Sequence, residues 1–144
     1  MHKVHNILRI KGNAVWSVPS SATALEAVKL MAEKNIGGVL VIDDGTLVGI
    51  FTERDFANKI GCFEKSPQEI KLSEVMTPNP ITVTPDNSIN DCMALMTDRH
   101  IRHLPVMEDG KLVGVISIGD VVKDLIEELQ FMVTQLEKYI TGRR

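Results

Sequence analysis

Sliding the 144-residue chain against itself by 65 positions lays VIDDGTLVGIFTERD, residues 41–55, over VMEDGKLVGVISIGD, residues 106–120, without a gap. The same offset places Val18 on Val83, Met31 on Met96 and Ile36 on Ile101. A single match at so long a period marks an internal duplication of a supersecondary unit rather than a solenoid. Two copies would bury their apolar faces against each other, so a pseudo-two-fold pair is expected. The length suits one domain or two small halves sharing a core.

Within each copy the pattern reads strand, helix, strand, hairpin, strand, helix. In the first copy Ala14 to Val18 reads as a short strand, and Thr23 opens a helix to about Lys34 with Leu25, Val28, Met31 and Ala32 as its apolar stripe. The β-rich runs Val39 to Ile42 and Leu47 to Phe51 flank Asp43-Asp44-Gly45-Thr46, where Asp-Gly supplies the positive φ of a tight hairpin turn. Thr52 then caps a helix to about Ile60. The equivalents in the second copy are Ile81 to Val83, a helix from about Ser88 to Asp98, Leu104 to Met107, Lys111 to Ile116 and a helix from Ser117 onward. Pro78, Pro80 and Pro85 bracket its first strand, and residues 61–71 form the connector.

Composition removes several classes of function. Sixteen Lys and Arg against 19 Asp and Glu give a net charge of −3, so no general affinity for nucleic acid is implied. No apolar run approaches the roughly eighteen residues of a membrane span, and the first twelve residues lack a signal-peptide core, which points to a cytoplasmic address. Cys62 and Cys92 are too far apart for a disulfide framework and read as buried or idle thiols. His100 and His103 have no cysteine or acidic ligand at a fixed spacing, so no metal site is expected. No phosphate-binding loop or nucleophile elbow occurs, so no catalytic residue is assigned and no enzyme is expected. Met31, Met93 and Met96 lie on helix stripes and read as adaptable core packing.

The chemistry concentrates where each hairpin ends, at Thr52-Glu53-Arg54-Asp55 and Ser117-Ile118-Gly119-Asp120. In both, a strand stops at a hydroxyl residue that starts a helix, with Asp three positions on. Helix-start N–H groups carry partial positive charge and favour an anion, while a carboxylate accepts from the two hydroxyls of a cis-diol. Phosphate, ribose and an apolar slot together describe a nucleotide. The same spacing is also that of an ordinary capping box. Repetition after two Gly-containing hairpins favours a ligand role.

The duplicated unit resembles a tandem of cystathionine-β-synthase (CBS) domains, a Bateman module, with copies at 7–64 and 72–127 and a helical extension at 128–144. The most specific elements are residues 41–55, VMTPNPITVTPD at 75–86 and IRHLPVMEDGKLVGVISIGD at 101–120. The resemblance implies an α+β (α/β) fold of duplicated β-α-β-β-α units forming a pseudo-two-fold pair. It also implies two clefts for adenosine-containing ligands such as AMP, ADP, ATP, NAD or S-adenosylmethionine, and a sensor role without a catalytic cofactor. Carried over, Asp55 and Asp120 match ribose-binding aspartates, and Thr52 and Ser117 match phosphate-facing hydroxyls. Arg102 and His103 match positions that often contact phosphate, where the first copy has only Gly37 and Gly38. Arg54 adds a cation that Gly119 does not. The early strands at Ser17-Val18 and Thr82-Val83 match edges that line the base pocket. The implied groups are Asp120, Ser117, Arg102 and His103 with Ser17 and Val18, and Asp55, Thr52 and Arg54 with Thr82 and Val83. A structural or adaptor subunit with vestigial clefts is the competing reading.

Beyond the second copy, Val122, Leu125, Leu129, Met132, Leu136 and Tyr139 recur at spacings of three and four. This heptad seam predicts a homodimer, while a regulated protein partner belongs to the sensor role that the resemblance implies. The alternative is that the helix folds back on its own module.

Overall fold

The computed structural model describes residues 2–62 and 64–142, with the side chain of Cys62 outside that description. In chain order the helices are α1 (Val4–Lys11), α2 (Ala24–Lys34), α3 (Glu53–Lys59), α4 (Leu72–Val75), α5 (Ile89–Arg99) and α6 (Ile118–Ile140). The strands are β1 (Ser17–Val18), β2 (Gly38–Asp43), β3 (Thr46–Thr52), β4 (Thr77–Pro78), β5 (His103–Glu108) and β6 (Lys111–Ser117). They form two compact units: a continuous one, Ala14–Ile81, and a discontinuous one, Met1–Asn13 with Thr82–Arg144. Each unit therefore combines the body of one sequence copy with the segment that leads into the other.

In the continuous unit the sheet order is β1-β2-β3-β4, with β1 parallel to β2 and the other pairs antiparallel. Asp44 (φ 48°) and Gly45 (φ 77°) make the β2–β3 turn and pair Asp43 with Thr46. This is the Asp-Gly hairpin expected from the sequence. Thr23 caps α2 by accepting from the Glu26 amide at 3.1 Å, while Glu26 accepts from the Thr23 amide at 3.2 Å. Helix α2 buries Ala24, Ala27 and Met31 against Val39, Val41 and Phe51 of the sheet, with Ile70, Leu72 and Val75 closing the core. Of the expected stripe only Met31 is fully buried, Leu25 and Val28 are half-buried and Ala32 is exposed, so the core-facing side is turned toward the small residues that let the helix approach the sheet.

The discontinuous unit repeats the hairpin and the helices that flank it, on a two-stranded sheet, β5-β6. Asp109 and Gly110 turn β5 into β6, Ser88 caps α5, and both hairpins carry an irregularity at equivalent positions, Val41/Ile42 and Val106/Met107. Its core holds Ile89, Cys92, Met96, Leu104, Val106, Ile116 and Val121, joined by Val4, Ile7 and Leu8 of α1. Cys92 is fully buried, and desolvation together with the charge of Asp91 pushes its thiol up to about 11, as suits an inert core residue.

Two expected strands are shorter than the pattern suggests. Only Ser17–Val18 of the first run pairs, and the run Ile81 to Val83 contributes a single parallel bridge, Val83 to Val106. The reason is visible at Pro105. In the first copy the Leu40 amide donates to the Trp16 carbonyl at 3.1 Å, and the equivalent donor in the second copy would be the amide that Pro105 lacks. The lead-in elements α1, α4 and β4 are additional to the pattern read from the sequence.

Candidate functional site

The two hydroxyl-to-aspartate motifs have the same backbone geometry. Thr52 and Ser117 end β3 and β6 in extended conformation and cap α3 and α6. Thr52 Oγ1 accepts from the Asp55 amide at 3.2 Å, and Asp55 Oδ2 accepts from the Thr52 amide at 3.0 Å. Ser117 Oγ accepts from the Asp120 amide at 3.2 Å, and Asp120 Oδ2 accepts from the Ser117 amide at 2.8 Å. Both motifs are thus true capping boxes. The first amide of each helix is also engaged: Glu53 donates to the Gly37 carbonyl at 3.0 Å and Ile118 to the Arg102 carbonyl at 2.9 Å. Fewer helix-start N–H groups face a ligand than the sequence alone suggests, because the strand ahead of each hairpin satisfies one and the hydroxyl another.

These same bonds bring the expected residues together within each unit. Gly38 pairs with Thr52, and His103 with Ser117 at the matching register position. Arg102 is exposed, His103 half-buried. Ser17 and Val18 sit on the other side of β2, paired with Leu40 and Val41. Val83 is buried with its amide donating to Pro105 O and its carbonyl accepting from Met107, whereas Thr82 is exposed. Arg54 lies in the first turn of α3 and Gly119 occupies its counterpart in α6. The groups implied by the resemblance each draw on residues of both units.

The two carboxylates differ in what else holds them. Asp55, 14% exposed, has Oδ1 accepting from Thr77 Oγ1 at 3.2 Å and lying 3.3 Å from Lys59 Nζ. Asp120, 24% exposed, receives Lys11 Nζ on Oδ2 at 2.6 Å, the same oxygen that serves the cap; Oδ1 carries none of these bonds. Burial pushes the Asp120 carboxyl up, but the hydrogen bond and charge of Lys11 and the bonds from Ser117 outweigh it, leaving the carboxyl below its ordinary value. It stays an acceptor at neutral pH.

Lys11, Thr77 and Lys59 are additions that the sequence reading lacked. Lys59 stands four residues after Asp55, a helical ion-pair spacing that could have found it. Lys11 and Thr77 come from the lead-in segments, and no local spacing connects them to the aspartates.

A family model described as the CBS domain matches residues 10–61 and 72–127. The mitochondrial CBS domain-containing protein CBSX3 of Arabidopsis thaliana is 36% identical over 96% of this chain and 72% of its own length. The chain spans only 23% of some longer relatives from the same plant. A solved protein with CBS domains from Burkholderia ambifaria MC40-6 is 44% identical, with TM-score 0.84 over 87% of this chain and 94% of that one. A CBS domain pair solved in complex with 5′-methylthioadenosine and S-adenosyl-L-methionine is 25% identical, with TM-score 0.77 over 89% and 98%. Two matched copies covering most of the sequence, on the same fold as these relatives, place this chain in the CBS-domain family.

Proposed function

We propose that the chain is a regulatory sensor that binds an adenosine-containing ligand of the AMP, ADP, ATP, NAD or S-adenosylmethionine class, using the hydroxyl-to-aspartate helix starts, and signals occupancy to a protein partner or through a homodimer. It has no catalytic role in this reading. The observation that carries it is the repeated placement of a capping-box aspartate at a strand-to-helix junction, in a family one of whose solved members holds two adenosine compounds. Asp120 would accept from a ribose diol through Oδ1, since its other oxygen is committed to the cap and Lys11. Arg102, immediately before the strand start, and His103, at it and paired to Ser117, supply side-chain donors toward a phosphate.

The copy-one site is the weaker of the two. Gly37 and Gly38 offer only backbone, and both oxygens of Asp55 already have partners in Thr52, Thr77 and Lys59. That favours the adaptor reading for this site alone.

Calorimetric titration of AMP, ATP and S-adenosylmethionine into the full chain tests the proposal. Asp120→Ala is expected to weaken the binding ligand ten- to a hundred-fold, about 1.5–3 kcal/mol, the range for lost hydrogen bonds to a charged group. Equal affinity in wild type and in the Asp55→Ala, Asp120→Ala double variant overturns the site. Absence of any binding leaves the adaptor reading.

A further inference from the structure

Asp124 is the buried charged side chain among the described residues, 7% exposed on the first half of α6. Its Oδ1 lies 2.9 Å from His2 Nδ1, yet its Oδ2 is shielded from solvent and has no hydrogen-bond partner. Leaving a buried carboxylate oxygen unsatisfied costs about 1–3 kcal/mol or more. One turn on, Glu128 brings a second carboxylate to the same face, and the donor atoms of His2, Asp124 and Glu128 all lie within 4.8 Å of one another. Like charges at this spacing on a helix repel. His2 is fixed there by backbone bonds: its carbonyl accepts from the Ile89 amide at 3.1 Å, and Lys3 bridges to Ser88.

We propose that His2, Asp124 and Glu128 form a binding site for a divalent transition-metal ion, zinc being the best fit. One imidazole and two carboxylates match the nitrogen and oxygen donors zinc accepts, and their two negative charges balance the ion. Tetrahedral ligands about 2.0–2.2 Å from zinc stand about 3.4 Å apart, so the present cluster needs only modest contraction. Calcium and magnesium prefer all-oxygen shells and would be disfavoured by the imidazole. The ion would satisfy Asp124 Oδ2, relieve the repulsion between the two carboxylates and staple the residue ahead of α1 to α6. It is distinct from the proposed ligand site, since Asp120 and Ser117 supply none of its donors. No local spacing in the sequence connects these ligands: His100 and His103 have no acidic ligand at a fixed spacing, and the partners of His2 lie 122 residues away and beyond.

Zinc titrated calorimetrically into the full chain after chelator treatment is expected to bind one ion per chain and raise the melting temperature. Cobalt in its place should give the visible absorption of a low-symmetry site. His2→Ala, at a half-exposed residue, and the isosteric Asp124→Asn should each weaken binding by more than about ten-fold, the loss even an outer-shell change can cause. His100→Ala should leave it unchanged. No stoichiometric uptake, or uptake by His2→Ala and Asp124→Asn as tight as wild type, overturns the site. A lower melting temperature for metal-free His2→Ala with no response to zinc in the wild type assigns the pair to a plain ion pair and likewise overturns it.

Discussion

At Asp120 one carboxylate closes a helix cap and also receives a lysine from the opening helix of the chain. The aspartate itself was legible, because a hydroxyl three residues ahead of an acid at a strand-to-helix junction is the spacing of a capping box, which the fold forms there. Lys11 was not: it stands 109 residues away, and only the fold makes them neighbours. Its effect has a definite sign. The folded carboxyl titrates below the ordinary 3.8, so the stability it contributes is complete above that value and is lost as pH falls through the depressed one. Lys11→Met should therefore destabilise the protein at neutral pH by about 0.5–1 kcal/mol, the upper range for a partly exposed pair. In urea unfolding the gap to wild type should narrow as pH falls below 3.8 and close once pH has passed below the depressed folded value, where the carboxylate is protonated. A gap undiminished in acid would assign the effect of Lys11 to its aliphatic stem instead.

Among the elements, the hairpins and long helices were legible because each carries a local signal: Asp-Gly between β-rich runs, and Thr23, Ser88 and Ser117 ahead of apolar stripes. The short lead-in elements carry none. Four residues of α4 and two of β4 are held by what they pack on rather than by propensity. The glycines shared by the two repeats mark where they pack. A Cβ on Gly49 would come 2.6 Å from Met76 Sδ and 3.0 Å from the Thr77 carbonyl, and one on Gly114 would come 2.8 Å from Leu8 Cδ2. Both keep their side of the hairpin open for the lead-in segment. Gly114→Ala should destabilise by about 1–3 kcal/mol through displacement of α1, read as a lower midpoint in urea. An unchanged midpoint would mean that Leu8 repacks without loss.

For the whole molecule, the outcome of the last helix is the largest open consequence. Among the described residues of α6 only Val121 and Asp124 are buried, while Leu129 is 59% and Tyr139 84% exposed, so the far half does not fold back on its unit. Of the expected seam, Val122, Leu129, Met132, Leu136 and Tyr139 are exposed and Leu125 alone is not, and Ile126, Val133 and Ile140 widen the outward apolar face. Leu125 is half-buried against the unit, and Val122, Ile126, Leu129, Val133, Leu136 and Ile140 continue at spacings of four and three. An isologous pairing with a second copy satisfies such a stripe, each large side chain being worth about 1.5–3 kcal/mol before ordering costs. Light scattering at low micromolar concentration should find the full chain dimeric and a truncation after Glu128 monomeric. A dimeric truncation, or a monomeric full chain, removes the helix as the clasp. No described helix is long and apolar enough to cross a membrane, so the stripe is not a span.

The exchange of lead-in segments sets a constraint of a different kind during synthesis. Residues 14–81 contain everything their unit needs and can complete it as soon as they emerge. Helix α1 is made before any of them, yet the surface that buries Val4, Ile7 and Leu8 includes Gly114 on β6, among the last strands to appear. Helix α1 must carry its apolar stripe uncovered until β6 has been made. Residues made ahead of the continuous unit find their place only after it.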